Sequence, residues 1–137
     1  AGRAAEANAN RVTYAVGYRS DDTYLLDELR AHGHVIIATD DGSKGVHGTV
    51  LDAILAEKPE ADLIFACGPK PMLSAVKSFA KSTGAAAYIS LEERMACGVG
   101  ACLGCVTGTT GKDAHSHVKN ARVCVDGPVF LADEVEI

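Results

Sequence analysis

Cys97, Cys102, Cys105 and Cys124 follow one another with the spacing C-x4-C-x2-C-x18-C. The first three are spaced as in segments that wrap a [2Fe–2S] cluster, where thiolates from one tight loop and one distant position converge on two irons. Such a loop must approach inorganic sulfide closely and offer it backbone N–H groups. Gly98, Gly100 and Gly104 provide that freedom, because glycine lacks the Cβ that blocks left-handed angles and close approach. Cys124 then closes the cage from a neighbouring strand. The chemistry implied is one-electron transfer, with the four cysteines as ligands.

Two other readings of the same thiols are open. A structural zinc site usually carries C-x2-C pairs in both halves, whereas here only Cys102 and Cys105 form one. A disulfide framework would leave one of five cysteines over, and crowding of this kind in a reducing compartment points to metal ligation. His115 and His117 lie in the polar stretch before Cys124 and are read as solvated bystanders. The fifth cysteine, Cys67, ends an apolar run, and its plainer reading is an inert core thiol. Its position just before Gly68 and Pro69 gives it a second reading. Open α/β sheets bind ligands along the carboxyl ends of their strands, where a small polarizable side chain and a glycine let a planar ring approach.

The elements that must position these residues fall into an alternating pattern. Arg11 to Tyr18 is β-rich, Ser20-Asp21-Asp22 is suited to capping, and Tyr24, Leu25, Leu26 and Leu29 recur at helical spacing until Gly33. His34 to Thr39 is an apolar run of the kind covered on both faces, followed by a polar loop, Asp40 to Gly48. Val50, Leu51, Ile54 and Leu55 form the inner side of a second helix that ends before Pro59, and Asp62 to Cys67 is a second buried run. Gly68-Pro69-Lys70-Pro71 opens a third helix with Met72, Val76, Phe79 and Ala80 inward, closed by Gly84 ahead of a strand from Ala86 to Ser90. The fold class expected is α/β, a parallel sheet with flanking helices. From residue 90 the character changes. Ser90 and Glu93 fit a capping box over a short helical turn, and residues 105–110 and 121–125 read as two strands of a small hairpin. The domains expected are an α/β part over 1–90 and a cysteine-rich β segment over 91–137.

A chain of 137 residues, 47% apolar and 23% charged, can bury a core. None of its apolar runs is long enough for a bilayer span, and its first residues lack the order of a signal peptide, so a cytoplasmic location without membrane attachment is expected. A net charge of −5 without a basic stripe, and an aromatic content of 5% with no Trp, argue against nucleic acid as a partner.

Three stretches together carry a resemblance: Cys67 to Leu73 (CGPKPML), Ser90 to Cys105 (SLEERMACGVGACLGC) and Val123 to Phe130 (VCVDGPVF). They resemble the electron-transfer subunits of NAD-dependent dihydroorotate dehydrogenases, within the ferredoxin–NADP reductase superfamily. That resemblance implies a nucleotide-binding α/β domain, a cluster segment ligated by Cys97, Cys102, Cys105 and Cys124, and an FAD-binding β-barrel. Electrons would pass between NADH, FAD and the cluster, and onward to FMN in a partner dihydroorotate dehydrogenase catalytic subunit. Cys67, Gly68 and Pro69 would flank nicotinamide and flavin. Thr39 and Asp40 would lie where the dinucleotide is selected, the acidic residue favouring ribose hydroxyls over a 2′-phosphate. The barrel and the first strand with its glycine-rich loop are absent from the 137 residues, so the sequence reads as the C-terminal portion of such a subunit. No catalytic acid or base is expected in it. The related subunit of NADH-dependent ferredoxin:NADP oxidoreductases is the enzymatic alternative, and a zinc-stabilised nucleotide-binding or interaction module the non-enzymatic one.

Overall fold

A computed structural model describes residues 11–112 and 117–137. The chain divides into two compact units, residues 1–60 and 61–137.

In the first unit, strand β1 (Thr13–Tyr18) leads to helix α1 (Leu26–His32), then β2 (His34–Thr39), the two-residue β3 (Val46–His47) and α2 (Val50–Glu57). The strands form a parallel sheet in the order β1-β2-β3, with Thr13 opposite His34 and Tyr18 opposite Thr39. Ile36, Ala38 and Ala53 are its buried core, with Val46 packed against them. Helix α2 starts on a reciprocal capping box: the Thr49 hydroxyl accepts from Asp52 N–H, and the Asp52 carboxylate accepts from Thr49 N–H at 2.7 Å. It closes on Lys58 in the left-handed conformation, one residue before Pro59.

Helix α1 differs from expectation. Ser20-Asp21-Asp22 does not cap it; its N-cap is Leu25, left-handed and without a side-chain cap bond. Only Leu26 of its apolar residues is buried, and Tyr24 stays 74% exposed. A helix of seven residues presents too little face to bury four apolar side chains. Leu55, expected on the inner face of α2, is exposed, because Val50 and Ala53 supply that face.

In the second unit, β4 (Leu63–Cys67), α3 (Lys70–Thr83) and β5 (Ala86–Ser90) form a parallel βαβ step. Gly84, left-handed, ends α3 as expected, with its N–H donating to Ala80 O. Beyond residue 90 come β6 (Val106–Thr109), β7 (Asn120–Arg122), the single helical turn α4 (Val123–Asp126), β8 (Val129–Leu131), a 3-10 turn (Ala132–Glu134) and β9 (Val135–Glu136). Strand β8 joins the sheet antiparallel to β5, giving the order β4-β5-β8, while β7-β6-β9 make a separate antiparallel sheet.

The expected change at residue 90 is one of sequence character and not of packing. Leu73 of α3 and Ile89 of β5 share one core with Leu91, Cys105, Val123, Phe130 and Val135. A segment of fewer than fifty residues cannot bury a core of its own, so it borrows that of the βαβ step. Three local expectations are corrected here. Residues 91–95 carry no regular secondary structure and form no helical turn. Residues 123–125 are helical and not strand, because the turn lets Val123 enter the core while Cys124 faces the loop. Strand β4 is covered on one face only: Leu63, Phe65 and Cys67 are exposed, and Phe65 stacks on Tyr88 of β5 with ring centroids 5.6 Å apart.

Candidate metal centre

The loop from Ala96 to Gly104 carries no regular secondary structure, and its backbone N–H groups turn toward sulfur. Cys102 N–H donates to Cys97 Sγ, Gly104 N–H to Cys102 Sγ and Cys124 N–H to Cys105 Sγ, each at 3.4 Å. The N–H groups of Val99, then Cys102, with the Cys102 thiol behind them, hold the Cys97 thiol down at about 6. Cys97 is therefore a thiolate at neutral pH. Cys124 moves the other way. Its S–H donates to Cys105, and that bond, with desolvation and the negative charges of Cys105 and Cys97, raises its pKa, while Gly100 N–H opposes the rise.

All four sequence-predicted cysteines are thus brought together as two contacting pairs, Cys97 with Cys102 and Cys105 with Cys124, coupled electrostatically through Cys97 and Cys124. Cys105 is rooted in the core, Cys124 is half-buried, and Cys97 and Cys102 are exposed. Gly100 has a φ of 79°, and a Cβ there would lie 2.8 Å from Val125 Cγ2, so this position requires glycine. Among the described residues no three His, Cys, Asp or Glu side chains gather around a point fit for one metal ion. A [2Fe–2S] cluster spreads four thiolates over two irons, two to each. Two pairs of thiols with backbone donors aimed at them fit that division. His115 lies outside the described residues. His117 is exposed, with a φ of 57°.

The remaining predicted residues fall into both units. Thr39 is wholly buried, and its hydroxyl donates to Lys44 O at 2.8 Å while accepting from Lys44 N–H. It shapes the loop after β2 and turns no polar atom outward. Asp40 is exposed beside it, at the carboxyl end of the strand. In the same loop Ser43 N–H and hydroxyl donate to Asp41 Oδ1, which holds that carboxyl below its ordinary value. Gly45, at a φ of 70°, passes so close to β2 that a Cβ would lie 2.2 Å from Ile37 O.

Cys67 is exposed, which sets aside the core-thiol reading. Gly68 and Pro69 line a cleft of about 260 Å³ with Lys70, Leu73, Leu91 and Glu92, and Lys70 pairs with Glu93 at its edge. Leu91 and Glu92 were not singled out by sequence. The signal for them is their place between the end of β5 and the first cysteine, where the Ser90 and Glu93 pattern points to a helical turn that the structure does not form.

No helix among the described residues is long and apolar enough to cross a membrane. The architecture and the thiol loop define a class, α/β elements followed by a segment in which four cysteines lie together. Residues 92–136 match the family model of the iron–sulfur cluster binding domain of dihydroorotate dehydrogenase B. Over most of its length the chain is similar to electron transfer subunits of dihydroorotate dehydrogenase B (NAD(+)). It is 47% identical to that of Listeria monocytogenes serotype 4a over 93% of this chain and 48% of the relative. For Caldanaerobacter subterraneus subsp. tengcongensis the figures are 39%, 96% and 52%, and for Bacillus velezensis 43%, 92% and 47%. The chain therefore spans about half the length of the curated relatives it matches. A chain in the structure of an NADH-dependent reduced ferredoxin–NADP oxidoreductase matches with a TM-score of 0.78 and 29% identity, covering 98% of this chain and 49% of that one.

Proposed function

We propose that this chain is an electron-relay portion of an NAD-dependent dihydroorotate dehydrogenase, holding a [2Fe–2S] cluster through Cys97, Cys102, Cys105 and Cys124. The observation that carries it is the arrangement of these thiols in two pairs under converging backbone N–H groups, within the residues that match the cluster-binding family. When bound, the cluster supplies one-electron redox chemistry. The protein's part is to hold and bias it. Cys105 and Val123 tie both halves of the site to the hydrophobic core, so the loop has little freedom to spread. The N–H groups of Val99, Cys102 and Gly104 offset thiolate charge, which favours the reduced state. The exposure of Cys97 and Cys102 leaves one side of the loop open to a docked redox partner.

Function divides as the sequence divides, with nucleotide binding in 1–90 and cluster binding in 91–137. Exposed Asp40 would accept hydrogen bonds from the ribose hydroxyls of NAD, with Thr39 shaping the loop behind it. Cys67, Gly68 and Pro69, beside their cleft, would face nicotinamide and an FAD held by a flavin-binding domain outside the 137 residues. The partner would be an FMN-containing dihydroorotate dehydrogenase catalytic subunit, in the cytoplasm, where free thiols persist. The NADH-dependent ferredoxin:NADP oxidoreductase alternative shares the fold, but at 29% identity against 47% it is the less similar match.

Anaerobic reconstitution with iron and sulfide tests the cluster. The protein should turn red-brown, absorb in the visible and hold iron and sulfide in equal amounts. Colourless protein with one tightly held zinc would sink the proposal. A pull-down should recover the FMN-containing catalytic subunit.

A further inference from the structure

Cys124, proposed above as the fourth ligand, stands on a helical turn of only four residues, α4, too short to hold its shape through its own backbone bonds. The turn is closed from outside the backbone by one carboxylate. Asp126 Oδ2 accepts from Arg122 N–H at 2.8 Å and from Arg122 Nε at 3.2 Å, and Asp126 Oδ1 accepts from Arg122 Nη2 at 3.3 Å. The two residues bracket Cys124 at a helical i,i+4 distance. Arg122 also reaches the cysteine loop. A Cβ on Gly100 would meet Arg122 Nη1 at 3.2 Å and Cδ at 3.6 Å, so the arginine side chain lies across Gly100, whose N–H donates to Cys124.

We propose that the Arg122–Asp126 pair is a positioning device that sets Cys124 against the 97–105 loop, and that it controls how firmly the cluster is retained. An exposed ion pair contributes little by charge alone, and both side chains here are more than a third exposed. The fork is different because it fixes geometry. One carboxylate holds the backbone of the residue that opens the turn and the guanidinium that covers the loop, so both surfaces are set together. The inference rests on the ligand assignment above and goes beyond it, since neither residue is a ligand.

The test uses the full chain reconstituted with iron and sulfide. Asp126→Ala should lose its visible absorbance to an iron chelator roughly tenfold faster than the unsubstituted protein, the scale expected when a ligand loses its support. Its visible circular dichroism should change while the far-ultraviolet spectrum does not. Arg122→Ala should behave alike, and the double variant should be no faster than either, because each removes the same device. Asp126→Asn retains one oxygen to accept Arg122 N–H but loses the charged two-oxygen fork to the guanidinium, and should lose the cluster at a rate between those of Asp126→Ala and the unsubstituted protein. Equal loss rates and visible spectra in all variants would overturn the proposal, as would strict additivity in the double variant. Cys124→Ala, which offers no donor atom, separates the two claims. An intact cluster in that variant overturns the ligand set; a bleached Cys124→Ala beside an unaffected Asp126→Ala overturns the positioning role alone. Should Asp126→Ala fail to fold, Arg122→Gln leaves the backbone bond to Asp126 in place and should still speed cluster loss.

Discussion

Cys97 and Cys124 lie in one site, yet the protein pushes them in opposite directions. Backbone N–H groups from Val99 and Cys102 pull the first down to about 6, while the Cys105 contact and desolvation raise the second. The thiolate reacts with alkylating agents and the thiol does not. In cluster-free protein, iodoacetamide should therefore modify Cys97 first. Its rate should rise as pH climbs through about 6 and level off above, whereas Cys124 should need alkaline pH. Mass spectrometry of early time points checks the order, and equal labelling of both at pH 7 would contradict it. Sequence already marked these cysteines by type and spacing. It did not show which would ionise, because that depends on donors two to five residues away that only a folded loop aims inward.

Helix boundaries were legible wherever a local signal sufficed. Thr49 and Asp52 begin α2 by bonding to each other across three residues, and Gly84 ends α3 by adopting the left-handed angle that other residues avoid. Thr49→Ala should cost about 1 kcal/mol of stability, the usual effect of removing a cap, read as a lower denaturant midpoint at neutral pH. The Thr49 hydroxyl and N–H also hold the Asp52 carboxyl below its ordinary value. A carboxyl with a depressed folded pKa stabilises above its unfolded pKa. That contribution is lost as pH falls through the folded value, so the midpoint difference between Thr49→Ala and the unsubstituted protein should shrink in acid. Local signals also misled: Ser20-Asp21-Asp22 does not cap the first helix, and Ser90 with Glu93 opens none. Residues 121–125 look like a strand by composition, but Asp126 closes a turn there and Val123 is drawn into the core. As a strand, Arg122 and Asp126 would have had no reason to meet; as a turn they are neighbours.

At the scale of the molecule, the cysteine segment and the β4-α3-β5 step are a single packing unit, so the cluster loop and the Cys67-Gly68-Pro69 edge are carried on one support. That arrangement suits an electron path running from one to the other. With this chain fused to the remaining half of a relative and supplied with FAD, Cys67→Ala should leave iron content unchanged and slow reduction of the cluster by NADH, measured by stopped-flow absorbance. Unchanged kinetics would make Cys67 an ordinary surface thiol. Sequence alone determined the alternation of strands and helices, the four clustered thiols and the glycines between them, because periodicity, spacing and backbone freedom are local properties of the chain. Only the tertiary structure decided that Thr39 is consumed within its own loop, that Cys67 is exposed, and that Arg122 and Asp126 bracket Cys124. Thr39 is settled within the first unit, by a bond to Lys44 that forms only once the loop folds back beside the Ile36, Ala38 and Ala53 core, whereas the other two depend on the burial of Leu73, Ile89, Val123 and Val135 in the core of the second unit.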